Sequence, residues 1–291
     1  MTVDRRIIEL YNESVHTALP RREFLARLTR MAGGAAAAMT ALAVLEPNYA
    51  QAQQVPPEDK RLNCEHISFN GPDGPIKAYS ARPHKIKHTD KLGGIVVMHE
   101  NRGLNGYIED VARRCALAGY LTIAADGLSV AGGTPADQEA ARDLFDKTNG
   151  ARIASDMLSG IQWVAADPSS NGKIGALGFG YGGGVALRST VENLGVDAAV
   201  AFYGKQLSAE ETKHLHVPVL LQYASDDERI DAGIPDFKAA LEANHVTYQM
   251  FTYPGTQYGF HNDSMAARYN EEAARLAWQR TLDFFATYLK V

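Results

Sequence analysis

From residue 65 onward, two apolar patterns take turns along the chain. Glu65-His66-Ile67-Ser68-Phe69 and Ile76-Lys77-Ala78-Tyr79-Ser80 alternate polar and apolar positions. That spacing predicts an antiparallel hairpin with one solvated face, and Gly71-Pro72-Asp73-Gly74-Pro75 between them reads as its turn. Continuous apolar runs of strand length follow at 94–98, 120–125, 174–179, 198–202 and 217–223, with a less regular one at 246–253. Runs without a polar face predict strands buried on both sides. Helical periodicity fills the gaps, at 108–118, 136–147, 153–166, 183–192, 234–243 and 271–289. Strands alternating with helices predict an α/β fold, a mostly parallel sheet covered by helices on both faces, with the N-terminal hairpin added at one side. One catalytic domain is expected over residues 65–291, with its chemistry at the carboxyl ends of the strands.

The first 64 residues follow a different pattern. Arg21-Arg22-Glu23-Phe24-Leu25 is an arginine pair followed by an apolar pair, and residues 31–45 are alanine-rich and weakly apolar. Ala50-Gln51-Ala52 has the small-x-small form of a signal-peptidase site. Together they predict a twin-arginine export signal over residues 1–52, cleaved after Ala52, with a periplasmic destination. Residues 53–64 read as a polar linker, and residues 4–19 can form a short amphipathic helix. The apolar run is short and carries glycine, so no stable membrane span is expected. With 45% hydrophobic and 22% charged residues, the 291-residue chain can bury a sizeable core. Its formal net charge of −5 argues against nucleic acid as a partner. Two cysteines, Cys64 and Cys115, exclude a disulfide scaffold, although they could pair in an oxidising compartment. Cys115 falls on the apolar stripe of Ile108, Val111 and Ala112, as a buried small hydrophobe would.

Three strand ends carry candidate chemistry. Gly178-Phe179-Gly180-Tyr181-Gly182-Gly183-Gly184 directly follows the run ending at Leu177 and has the form of a nucleophile elbow. At its centre stands Gly180, which has no side chain to attack with. The loop His99-Glu100-Asn101-Arg102-Gly103 follows the third predicted strand, Asp226 and Asp227 follow the run ending at Tyr223, and His261 lies in the loop after the last strand. The chain order of elbow, acid and histidine is that of α/β-hydrolases. Gly180 has three readings: relief of a strained backbone with loss of covalent catalysis, admission of a water activated by His261 and Glu100, or replacement of the native residue. His214 and His216 flank Leu215 without an evident third ligand, so no metal site is expected. The glycines 182–184 lack the Lys-Ser/Thr of a phosphate loop and predict close helix–strand packing instead.

His99-Glu100-Asn101-Arg102-Gly103-Leu104-Asn105, the elbow at residues 178–184 and the loop from Gly255 to Asp263 resemble the corresponding segments of the dienelactone hydrolases. The resemblance runs from about Glu65 to the C-terminus, and the N-terminal signal resembles that of an exported subgroup. It implies His261 as general base and Asp227 as its orienting acid, with Asp226 the competing choice. It further implies Glu100 as the buried carboxylate that promotes thiolate formation, and the backbone N–H groups of Asn101 and Tyr181 as the oxyanion hole. Arg102 would bind a substrate carboxylate or form a structural ion pair. The sequence departs from the family's pattern twice: Gly180 replaces the usual Cys, and Tyr258 replaces a histidine common in the exported subgroup. The implied function is hydrolysis of small lactones or carboxylic esters without a cofactor, weakened or lost through Gly180. Ser129 and Tyr181 remain as possible substitute nucleophiles. The alternative is a silent relative that binds a small carboxylate or a partner in the former active site.

Overall fold

The computed structural model describes residues 4–17, 19–49, 53–85 and 90–290. Three helices open the chain: α1 (Arg5–His16), α2 (Arg21–Ala32) and α3 (Ala35–Leu45). The hairpin β1 (Leu62–Gly71) and β2 (Gly74–Pro83) comes next. After it the chain alternates: β3 (Leu92–Met98), α4 (Gly106–Leu117), β4 (Leu121–Ala125), α5 (Gln138–Lys147), α6 (Gly150–Ala166), β5 (Ser170–Phe179), α7 (Tyr181–Val191) and β6 (Ala198–Phe202). The short α8 (Ala209–Thr212) precedes β7 (Val219–Asp226). The short α9 (Glu228–Asp231) and α10 (Ile234–Ala243) lead to β8 (Tyr248–Gln257), and α11 (Glu271–Leu289) closes the fold.

The eight strands form one sheet in the order β1-β2-β4-β3-β5-β6-β7-β8. The hairpin strands pair antiparallel, as does β2 with β4, and every later pairing is parallel. The pleat sorts the apolar runs between two cores. Ile95 and Val97 of β3 join α4 and α11 on one face, whereas Val96 and Met98 join α6, α7 and α10 on the other. Each fully buried aliphatic side chain contributes about 1.5–3 kcal/mol, which is why the runs lacking a polar face occupy the middle of the sheet. Asn105, Asp137, Asn149 and Asn270 cap the helices that follow them through side-chain oxygens. The Asn105 cap holds the loop from His99 to Leu104 at the end of β3. A Cβ on Gly182 would lie 2.2 Å from the Met98 carbonyl oxygen, so α7 leaves the elbow in direct backbone contact with the end of β3.

The expected linker is more ordered than its composition suggested. Val55 is buried, its N–H donates to Asp110 at 2.8 Å, and its carbonyl accepts from Arg113 at 2.7 Å. Strand β1 begins at Leu62, inside that stretch, because Asn63 and Cys64 pair with Arg82 and Ala81. Helices α1–α3 share an apolar cluster built on Ile7, Ile8, Leu10, Tyr11, Val15, Phe24, Leu28, Leu42 and Leu45, and this layer lies over the carboxyl ends of the strands. The expected cleavage site at residues 50–52 lies outside the described residues. Among the described residues no single helix is long and apolar enough to cross a membrane, and α2 and α3 meet at a bend of 110°.

Candidate active site

Gly180 sits at the turn from β5 into α7 with φ 53° and ψ −115°. Positive φ is strained for any residue with a side chain, and glycine adopts it without steric cost. The Gly180 N–H donates to the Phe202 carbonyl at 3.0 Å, anchoring the elbow to β6. A Cβ built at this position would stand 1.9 Å from the Tyr258 hydroxyl and 3.5 Å from Glu100 Oε1. The phenol of Tyr258 therefore fills the space in which an elbow side chain would begin. Tyr258 is buried, its ring 4.9 Å from that of Tyr203 and 5.3 Å beneath the Arg229 guanidinium. Burial, and then the nearby charge of Glu100, hold its hydroxyl above the usual phenol range, so it stays protonated and a poor nucleophile.

The expected acid–histidine pair does not form. The Asp227 carboxylate caps α9, accepting weakly from the Ile230 N–H, and its other oxygen has no hydrogen-bond partner among the described residues. The His261 ring is enclosed by Phe179, Phe202, Tyr107 and Trp278. Its Nδ1 is bonded to the Tyr107 hydroxyl at 2.7 Å, and Nε2 has no partner among the described residues. Burial, reinforced by the Arg114 charge, drives its pKa well below the usual imidazole value. The register of the loop after β8 accounts for this correction. Tyr258 follows β8 directly and faces the elbow, whereas His261 lies beyond the turn at Gly259 and points into the apolar core. Tyr258 feels the charges of both Glu100 and Asp227, and Arg268 acts on the same two carboxylates. Asp226, the competing acid, is instead ion-paired with Arg5 of α1 at 2.6 Å.

Glu100 lies just past the end of β3. It is buried, Oε2 accepts from the Asn262 amide at 2.9 Å, and Oε1, beside residue 180, has no hydrogen-bond partner among the described residues. Burial raises its pKa, opposed by Asn262 and by the charges of Arg102 and Arg268. Arg102 does not line the cavity beside the elbow. It lies beneath α1, and Nη2 donates to the Tyr11 hydroxyl at 3.0 Å. Among the described residues Arg102 makes no ion pair, so of its two expected roles the structural ion pair is not its contact here. Ser129 is also remote, its hydroxyl held by the Lys77 N–H at 2.9 Å and the Asp126 carbonyl at 2.6 Å. The Tyr181 hydroxyl donates to the Gly150 carbonyl at 2.6 Å.

A cavity of about 640 Å³ opens beside Gly180, within the size range of small-molecule sites. Asn101, Tyr181, Tyr203 and Tyr258 line it near the elbow, and Arg188, Lys205 and Arg229 bring positive charge against Asp146 and Glu211. Val15 and Thr17, at the end of α1, complete the wall. The sequence reading missed Tyr203, Arg229, Arg268 and the α1 residues. Arg229 lies only two residues beyond Asp227 and could have been found from that spacing. Nothing local marks Tyr11, Val15 or Arg268, which tertiary packing brings in from distant segments.

The dienelactone hydrolase family profile matches residues 76–289. A 119-residue stretch is 47% identical to the Escherichia coli (strain K12) protein named "Putative hydrolase fragment YghX", covering 38% of this chain and 100% of that one. A "Putative carboxymethylenebutenolidase" of Salmonella typhi is 32% identical over 238 residues, 76% of this chain and 86% of the relative. Among solved structures, a "Putative Dienelactone Hydrolase" from Klebsiella pneumoniae superposes with a TM-score of 0.70 at 28% identity, covering 78% of this chain and 99% of that one. The sheet order, the elbow at β5 and the Glu100 loop at β3 are those of an α/β-hydrolase, and the chain belongs to the dienelactone hydrolase family.

Proposed function

We propose that the cavity receives small carboxylic esters or lactones and that the chain turns them over at most weakly, because it lacks the covalent route. The Tyr258 hydroxyl at the Cβ place of residue 180 carries this reading. It leaves the elbow without a nucleophile and occupies the space a nucleophile would need. Losing the attacking residue of a comparable triad lowers turnover about a million-fold, and an oxyanion hole with binding alone retains roughly a thousand-fold over water. The positions of Asn101 and Tyr181 at the cavity wall support their N–H groups as that oxyanion hole. Asp227, beside Tyr258, would serve as the orienting acid only if residue 258 were a base. The arginine pair Arg21-Arg22 supports export through the twin-arginine route to the periplasm. Replacing both with lysine is expected to leave the chain in the cytoplasm, as read by cell fractionation.

Hydrolysis of p-nitrophenyl acetate by the full chain tests the catalytic reading. The expected result is near-background turnover, unchanged in His261→Ala. Gly180→Cys alone stays inert because its thiol meets the Tyr258 phenol, and Gly180→Cys combined with Tyr258→His rises at least a hundred-fold. Robust turnover by the unaltered chain, lost in Tyr258→Phe, would show that the phenol takes part in chemistry and would sink the proposal.

A further inference from the structure

Helix α5 borders the cavity beside Gly180 and has no part in the chemistry described so far. It contributes Phe145 and Asp146 to the lining, and the Phe145 ring meets that of Tyr181 edge to face at 4.9 Å. Of its ten residues only Ala141 is buried, while Leu144 and Phe145 rest partly buried against the core. A helix this short is marginal in water by itself, so the groups it touches decide whether it stays in place.

Its polar ties run to the N-terminal layer. Glu139 is ion-paired with Arg21, Gln138 Nε2 donates to the Pro47 carbonyl at 2.6 Å, and Arg142 donates to the Ser14 carbonyl. On either side of α5 the chain is fixed to the catalytic body. Thr134 donates its N–H and its hydroxyl to Asp126, each at 2.7 Å, and the Asn149 side chain caps α6. Between those anchors only residues 135–137 and Thr148 join the helix to the fold. An element with short joints at both ends and little buried surface opens at low cost. Removal of residues 1–52, as the export reading expects, would cut all three ties and leave the apolar side of α5 as its hold.

The cavity also has an apolar side, to which Phe145, Ala154, Val185, Leu207 and Ile230 contribute. We infer that α5 is the lid of this cavity, and that Phe145 makes it select carboxylic esters and lactones with an extended apolar substituent over short ones. The inference rests on the proposed reading of the cavity as an ester and lactone site, and it names the class that site takes. A ligand chain lying along Val185, Leu207 and Ile230 gives Phe145 a surface to close on, and each further methylene buried there strengthens binding about fourfold. An acetyl group offers no such surface.

Two measurements on the full chain test this. Gln138→Ala, Glu139→Ala and Arg142→Ala combined cut the ties and put a strong helix former at each place. Amide hydrogen exchange in α5 should then speed about tenfold or more while exchange in α6 stays as it was, and saturating ethyl hexanoate should slow it again. In calorimetric titration the same chain should bind ethyl hexanoate at least about tenfold tighter than ethyl acetate. Adding Phe145→Ala should weaken ethyl hexanoate about fivefold or more and ethyl acetate less than about twofold, and Phe145→Leu in its place should keep part of the affinity. Unchanged exchange in α5 overturns the lid, and exchange that ethyl hexanoate does not slow overturns its closure on a ligand. Equal affinity for the two esters overturns the selection, as does a folded Phe145→Ala chain that binds ethyl hexanoate as before. If neither ester binds, the ester reading of the cavity falls and the ligand class with it, while exchange in α5 without ligand still decides the lid.

Discussion

Gly180 and Tyr258 act as one unit, each explaining the other. A methyl group at residue 180 has to displace a phenol held between Tyr203 and Arg229, and it has to adopt φ 53°. Gly180→Ala is therefore expected to cost about 1–3 kcal/mol, the usual range for overpacking or a strained backbone. In a Tyr258→Phe background, which removes the nearest atom, part of that cost should disappear. Urea unfolding of the four chains measures it. His261 makes a second prediction at this scale. Its folded pKa lies below the ordinary value of 6.5, so the unfolded chain binds the extra proton. Stability is then fully present above pH 6.5 and falls as pH drops from there toward the depressed folded value, by up to about 1.4 kcal/mol per pH unit for that proton. The other buried histidine, His99, has the same sign, whereas Glu100 and Asp227, raised by burial, have the opposite one. His261→Phe should flatten the acid limb by up to one proton relative to the unaltered chain, and an unchanged slope would contradict the assignment.

The element that matters most is α7, because its entry angle builds the elbow. The glycines after residue 180 were read in the sequence as a packing device, and for Gly182 the structure gives the reason, the carbonyl of Met98 at the end of β3. Gly182→Ala would push backbone against backbone, with no flexible side chain to yield. A loss of roughly 3 kcal/mol or more is expected, at the upper end for overpacking, and thermal unfolding would report it. The loop after β8 was harder to read. Gly-Phe-His-Asn-Asp looked like the histidine loop, but nothing in it shows which residue the turn at Gly259 sends toward Gly180. One position of register exchanges a residue at the elbow for one in the core, and here the elbow received Tyr258.

For the whole molecule, the two cysteines give a direct check on the packing. Both are free, Cys115 wholly buried on the inner face of α4 and Cys64 half-buried on β1. The folded chain should react with a thiol reagent at one site and the unfolded chain at two. Native labelling of neither would indicate the pairing that an oxidising compartment could have produced. The sequence by itself determined the α/β architecture, the strands and the longer helices from the hairpin to α11, though not the short α8 and α9, and the positions of Gly180, Glu100 and Asp227 at strand ends. Those features are local, because hydrophobic period, caps and glycine spacing are written in consecutive residues. The tertiary structure decided the rest: the phenol in the nucleophile's space, the histidine withdrawn into an aromatic core, and α1 seated on Arg102 and Arg268. Each of these joins segments tens to hundreds of residues apart, where side-chain direction and loop register set the contact and neither has a local signature.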